Sequence, residues 1–346
     1  MIRMPRAVLT LALAVAGATL APAPWAHAQG AQDQSIATAL NEAYKKYRNL
    51  QEGKNADYIP ALAKVDPKIF GIALVTTDGK VYTAGDIKSE VSIQSISKVF
   101  TLAKVIEEQG PEAIEKTIGV DATGMRFNSI VAVEMAQKGL GGPEMNSLVN
   151  PGAIATTSMV KGGSRDDVWK SILGFYSDFA GRPLSVNQEV FKSEAETNQR
   201  NQAIGALMHA YGYIKDNPDR ATDVYTEQCS VSVSAKDLAT MAATLAAGGK
   251  NPVTGKQVMA GKNVPYVLSV MATAGLYDDS GKWLYHTGLP AKSGVGGGII
   301  AVAPGKFGIA VISPPLDEAG NSVRAQKAIR DIVSRLHANP YEVRPS

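Results

Sequence analysis

Ser95-Ile96-Ser97-Lys98 places a hydroxyl and an amine three residues apart. On a helix, positions i and i+3 share a face, so the amine of Lys98 reaches the hydroxyl of Ser95. A serine hydroxyl becomes a useful nucleophile only when a base takes its proton. Lysine can be that base when its pKa falls, which burial beside another cation brings about. A second stretch, Lys292-Ser293-Gly294, offers such a cation in Lys292 and a further hydroxyl in Ser293. A helix start at Ser95 would also set free N–H groups near developing negative charge. The chemistry implied is acyl transfer through a serine ester. Taken alone, S-x-x-K is weak, because its ordinary meaning is a polar helix face.

Other chemistries find little support. There is no G-x-S-x-G elbow, and His209, His286 and His337 are scattered, so nothing points to a Ser-His-Asp triad. No H-E-x-x-H or His pair at ligand spacing occurs, which argues against a catalytic metal. Gly294-Val295-Gly296-Gly297-Gly298 does not match a dinucleotide fingerprint and reads as room for close backbone approach to a ligand. Cys229 is the single cysteine, so an intrachain disulfide is impossible; it reads as a small buried apolar residue.

The elements that must position these residues follow from the hydrophobic pattern. Phe70–Val75 and Lys80–Gly85 flank Asp78-Gly79, a hairpin signal. The chain then runs through Ser95 into a helix over Thr101–Gln109, stopped by Gly110-Pro111. From about 121 to 270 strand signals are weak, and Ile130–Gln137, Asp166–Phe179, Asn201–Tyr213 and Ala235–Ala247 read as helices. Ile299–Ala303 and Phe307–Ile312 form a second hairpin around Pro304-Gly305-Lys306, and Ser322–His337 a final amphipathic helix. Near the start, Ile36–Leu50 reads as a helix after a flexible polar lead-in, Gln29–Ser35. Strands at both ends with helices between predict one sheet assembled from the two termini. The expected units are a discontinuous α/β lobe (29–120 and 275–346) and a helical lobe (121–274), with the site in the crevice between them.

The chain has 346 residues, 45% hydrophobic and 19% charged, enough for a large core. A net charge of +3 without a basic cluster leaves nucleic-acid binding no electrostatic footprint. Residues 1–28 read as a secretory signal peptide: Arg3 and Arg6, an apolar run over Val8–Leu20, and Ala26-His27-Ala28 before the cut. The run is short of the ~20 residues a spanning helix needs. The mature chain would start near Gln29 and be exported, to the periplasm or the medium, with no membrane attachment.

S-x-x-K after a strand hairpin, with K-S-G before a terminal strand, resembles the penicillin-recognising serine enzymes, whose pattern pairs S-x-x-K with K-T-G. More specifically, the chain resembles the serine-dependent glutaminases, which have a β-lactamase-like fold. The resemblance is carried by Ala56–Ala63, Ile93–Lys98, Val149–Ile154, Ser193-Glu194, Arg200–Ile204, Met241–Ala246, Gly275–Asp278, Gly288–Val295 and Ser313–Asp317 with Gly320–Ser322. It implies a β-lactamase/transpeptidase-like α/β fold, an antiparallel sheet flanked by helices with an inserted helical lobe. It also implies hydrolysis of the side-chain amide of L-glutamine. By the same resemblance Ser95 is the nucleophile, Lys98 the base, and Tyr277 the group that protonates ammonia and activates water. The N–H groups of Ser95 and Val295 form the oxyanion hole. Tyr58, Asn150, Glu194, Asn201 and Tyr225 hold the amino-acid end of the substrate, a sensible set because a carboxylate can pair with an α-ammonium and amides and phenols can bond an α-carboxylate. Lys292, Ser293 and Gly294 support the site. No metal or organic cofactor is implied, and a homo-oligomer, dimer or tetramer, is.

Two departures stand out. The family pattern Asn-Ala-Gly-Ala is here Asn150-Pro151-Gly152-Ala153, and proline fixes φ and removes an N–H. The family is mostly intracellular, whereas this chain carries an export signal. Two rival readings share the Ser95–Lys98 pair: a penicillin-recognising serine hydrolase (D-Ala-D-Ala peptidase, β-lactamase or esterase), or a non-catalytic amino-acid-binding module. Glu194, Asn201 and Tyr225 argue against the first, and the intact Ser95, Lys98 and Tyr277 against the second.

Overall fold

The structure, a computed structural model, describes residues 24–136 and 145–343, with side chains from Gln32 onward. Most of the expected signal peptide, and Gln137 at the end of one expected helix, lie outside the described residues. The first helix, Pro24–Tyr47, crosses the expected cleavage position. Gln29–Ser35, expected to be irregular, is therefore helical; its turns continue those that bury Ile36 and Leu40.

Among the described residues seven strands form two sheets. β1 (Gly71–Thr76) and β2 (Val81–Gly85) are the first hairpin, and β3 (Glu90–Ser92) follows. β4 (Ser232–Ser234) lies far along the chain, then come β5 (Ala291–Gly294), β6 (Gly298–Ala303) and β7 (Phe307–Ile312). The main sheet has the order β2-β1-β7-β6-β5, and every neighbouring pair is antiparallel. The terminal strands thus meet at β1 and β7, with Ala73 opposite Ala310.

β1, β6 and β7 are buried at every position because both faces of the sheet are covered. Ile72, Leu74, Ile299, Ile309 and Val311 share one core with Ile36 and Leu40 of the first helix and Ile329 and Ile332 of the last helix, Val323–Arg335. Ala73, Val75, Ile300, Val302, Ala310 and Ile312 face a second core that continues through the helices. The alternation follows the two-residue period of a strand. The helix Ala235–Ala246 lies against this second face, held at its start by a capping box of Ser234 and Asp237.

β3 and β4 make a two-stranded ribbon with Val91 opposite Val233. Sequence analysis found no strand there: three residues are too few to show a period. Four helices in the middle were also missed, Asn150–Ser158, Gln188–Thr197, Pro218–Cys229 and Val264–Ala274. The second and third carry many charged residues, and the first has almost no amphipathic pattern because all but its last residue are buried.

Candidate active site

The ribbon delivers the nucleophile. β3 continues through Ile93, whose N–H donates to Val231 O at 2.8 Å, into a short 3₁₀ turn, Gln94–Ile96, and then the helix Ser97–Gln109. Ser95 therefore sits in the turn that opens a buried helix. Gln94 holds φ at 49°, and Tyr277 holds φ at 55°. A non-glycine residue in this left-handed region is uncommon, and such strain gathers at functional sites.

Lys98 is 1% exposed. Its Nζ donates to Ser95 Oγ at 3.0 Å and to Asn150 Oδ1 at 2.7 Å. Burial pulls its pKa down to about 8, against small opposing pulls from Cys229 and Glu194. Sequence analysis expected Lys292 to depress Lys98 as a second cation. Burial acts on both lysines: Lys292, wholly buried, is also pushed well below the usual lysine range, first by desolvation and then by Lys98. Lys292 Nζ donates to Ser293 O at 2.7 Å and lies 4.1 Å from the centre of the Tyr277 ring.

Asn150 is the hub. Its Oδ1 also accepts from Tyr225 OH at 3.1 Å, and its Nδ2 donates to Asn201 Oδ1 at 3.0 Å. Its backbone N–H donates to Phe127 O at 2.7 Å. Pro151 occupies the first turn of the helix Asn150–Ser158, where its missing N–H would have no helical partner. The departure therefore leaves the Asn150 backbone in a regular helix start.

Glu194, in Gln188–Thr197, is 7% exposed, and burial lifts its carboxyl to about 7 despite a hydrogen bond from Gln94 and the field of Lys98. Gln94 Nε2 donates to Glu194 Oε2 at 3.1 Å. Gln94 carries no mark in the sequence beyond its place beside Ser95, since a positive φ is invisible there. Tyr58 is more than half exposed, yet desolvation of its phenol, with the fields of Tyr277 and Glu194, holds its pKa above the usual tyrosine range. Ala61 N donates to Ser193 Oγ at 3.1 Å, which fixes the Tyr58 segment beside Glu194.

Tyr277 is buried, and its ring lies 4.7 Å from that of Phe127. Desolvation raises its phenol to about 12, while hydrogen bonds with Ser95 and Ser293 lower it. Val295 follows β5 directly and is buried. Ser293 Oγ is buried without a hydrogen-bond partner among the described residues. The glycine run packs closely against backbone. A Cβ on Gly294 would lie 2.7 Å from Ile93 O, and one on Gly296 2.2 Å from Ser92 O. These glycines let β5 and the turn after it lie directly on the segment leading to Ser95, so the close approach is to backbone. Hydrogen bonds thus link Ser95 to Lys98, Asn150, Asn201 and Tyr225, with Tyr277 also bonded to Ser95 and Glu194 held by the neighbouring Gln94. Cys229 is buried as well, 3.9 Å from Ser97 Oγ.

The antiparallel five-stranded sheet with its helices is an α/β fold of the β-lactamase-like class. The glutaminase family pattern matches residues 53–341. The glutaminase of Colwellia psychrerythraea is 53% identical over 312 residues, 90% of this chain and 99% of that protein. That of Mycobacterium ulcerans is 51% identical over 308 residues, 89% of this chain and 95% of that one. The solved probable glutaminase ybaS superposes with a TM-score of 0.87 at 46% identity, covering 90% of this chain and 99% of the other. A probable glutaminase from Bacillus subtilis, solved with 6-diazo-5-oxo-L-norleucine, gives 0.79 at 28% identity over 88% and 97% of the two chains. The chain belongs to the glutaminase family.

Proposed function

We propose that the glutaminase reaction of this chain runs through a γ-glutamyl ester on Ser95. Ser95 Oγ attacks the side-chain amide carbon of L-glutamine as its proton passes to Lys98. The C–N bond then breaks, the nitrogen takes a proton relayed through Tyr277, and ammonia departs. Water adds to the ester, the C–O bond to Ser95 breaks, and L-glutamate leaves. The N–H groups of Ser95 and Val295 receive the oxyanion. Tyr58, Asn150, Asn201 and Tyr225 face the α-carboxylate end, and Glu194 pairs with the α-ammonium. The observation that carries this reading is the 3.0 Å contact between Ser95 Oγ and a buried Lys98 whose pKa falls to about 8. A base near the working pH is the effective kind.

The test is ammonia release from L-glutamine by the chain from Gln29 onward, beside Ser95→Ala. Loss of at least ~10³-fold in Ser95→Ala, with L-glutamate binding retained, is expected for a removed nucleophile. Treatment with 6-diazo-5-oxo-L-norleucine should add mass at Ser95. Near-normal release by Ser95→Ala would overturn the mechanism. We also propose export and self-association as a dimer or tetramer. The support for export is the pattern of residues 1–28, and the check is N-terminal sequencing of periplasmic protein, which should begin at Gln29. The support for association is the family resemblance, and the check is light scattering.

A further inference from the structure

The active site is nearly sealed. Ser95, Asn150, Glu194 and Tyr277 are each 7% exposed, and Lys98 and Lys292 are at or below 1%. On the proposed reaction, ammonia must leave while the glutamyl group still occupies the clamp between Ser95 and the Tyr58 and Glu194 side. The mouth is then plugged by the acyl group itself, and water must still reach the ester.

A cavity of about 220 Å³ lies against Tyr277. Thr123, Met125, Val149, Thr273, Asp278 and Gly281 contribute to its wall, and Ser95 and Lys98 do not. Tyr277 is thus the residue common to this cavity and the reacting centre. Val149 joins the two regions as well, since it precedes Asn150. Tyr277 stands where the departing nitrogen takes its proton, and its ring is held by Phe127. Mixed polar and apolar walls suit small neutral molecules, and exposed Asp278 suits an ammonium ion forming at the rim. We propose that this cavity is the exit for ammonia and the entry for hydrolytic water, with Tyr277 as the gate between it and Ser95. The inference rests on the acyl-enzyme reading above.

Gly281 offers a clean way to plug it. Gly281 lines the cavity and is exposed, and a Cβ there would meet nothing within 4 Å, so a side chain can be added without a backbone clash. Gly281→Trp should lower kcat about tenfold, as product release and water access become limiting. The dissociation constant of L-glutamate, measured by calorimetry, should not change. Incorporation of ¹⁵N-ammonium into residual L-glutamine, which needs ammonia to reach the ester, should fall with kcat. Gly281→Ala should behave as wild type. Thr273→Trp places bulk in the same cavity from the preceding helix, Val264–Ala274, and should reproduce the pattern. Wild-type kcat in both tryptophan variants overturns the proposal, as does a loss of glutamate affinity equal to the loss of kcat. A wild-type protein that releases no ammonia from glutamine overturns the reaction itself, a distinct result.

Discussion

Lys98 shows what a buried base does to the molecule that carries it. Its pKa falls from 10.5 to about 8 in the fold, with burial the main cause. The folded state therefore binds fewer protons than the unfolded chain between about pH 8 and 10.5, and stability rises with pH across that window. Below pH 8 the lysine is charged in both states and the full penalty stands, on the order of 3 kcal/mol. Lys98→Met should thus be more stable than wild type at pH 7 by about 2 kcal/mol while losing activity, a trade expected at active sites. The gain should shrink as pH rises through 8 and be gone by about 10.5. Denaturant melts at pH 7 and pH 10 check this; an equal difference at both would mean that packing, not charge, sets it. The same values shape catalysis. Lys98 must be neutral to accept a proton and Glu194 ionised to hold an ammonium, so kcat/KM should climb as pH passes from about 7 to above 8.

At the scale of elements, what could be read from the sequence depended on length and pattern. The two hairpins were legible because Asp78-Gly79 and Pro304-Gly305 punctuate β-prone runs of five or six residues. The helix Asn150–Ser158 was not, although it carries the hub of the site. Eight of its nine residues are buried, so no polar face marks it. Gly152 is part of the reason: a Cβ there would lie 2.0 Å from Asn146 O, so the helix start is pressed onto the preceding loop. Pro151 fits this start, since its fixed φ suits a first turn. Replacing it with the family's alanine removes a constraint on the unfolded chain and, because Pro151 is buried, ring methylenes from the folded one as well. Pro151→Ala should lower stability by at least about 0.4–1 kcal/mol and leave kcat/KM within about twofold. Thermal melts and steady-state kinetics decide, and a large fall in kcat/KM would show that proline sets the position of Asn150.

At the scale of the whole molecule, the joining of the two termini was legible as a tendency and not as a register. Local patterns show that both ends hold strands; only the structure shows that β1 pairs with β7 and that the helix Ala235–Ala246 lies across them. The contact is made at Gly308 of β7, where a Cβ would lie 2.1 Å from Ala243 N and 2.4 Å from Ala242 C. Glycine is needed there for space, since helix backbone meets strand backbone. The helix cannot shift alone. Its capping residue Ser234 ends β4, β4 pairs with β3, and β3 leads to Ser95. Arg182 ties the same parts together, with Nη2 2.8 Å from Glu90 Oε1 and 2.5 Å from Asp237 Oδ2. A methyl at Gly308 therefore pushes on the element that positions the nucleophile, although it lies in the core, away from the substrate clamp. Gly308→Ala should cost about 1–3 kcal/mol, as overpacking does. It should also lower kcat/KM several-fold at temperatures far below its melting point. Circular dichroism melts and kinetics at 15 °C separate the two effects. Lowered stability with unchanged kcat/KM would mean that the ribbon absorbs the shift and the sheet does not transmit it to Ser95.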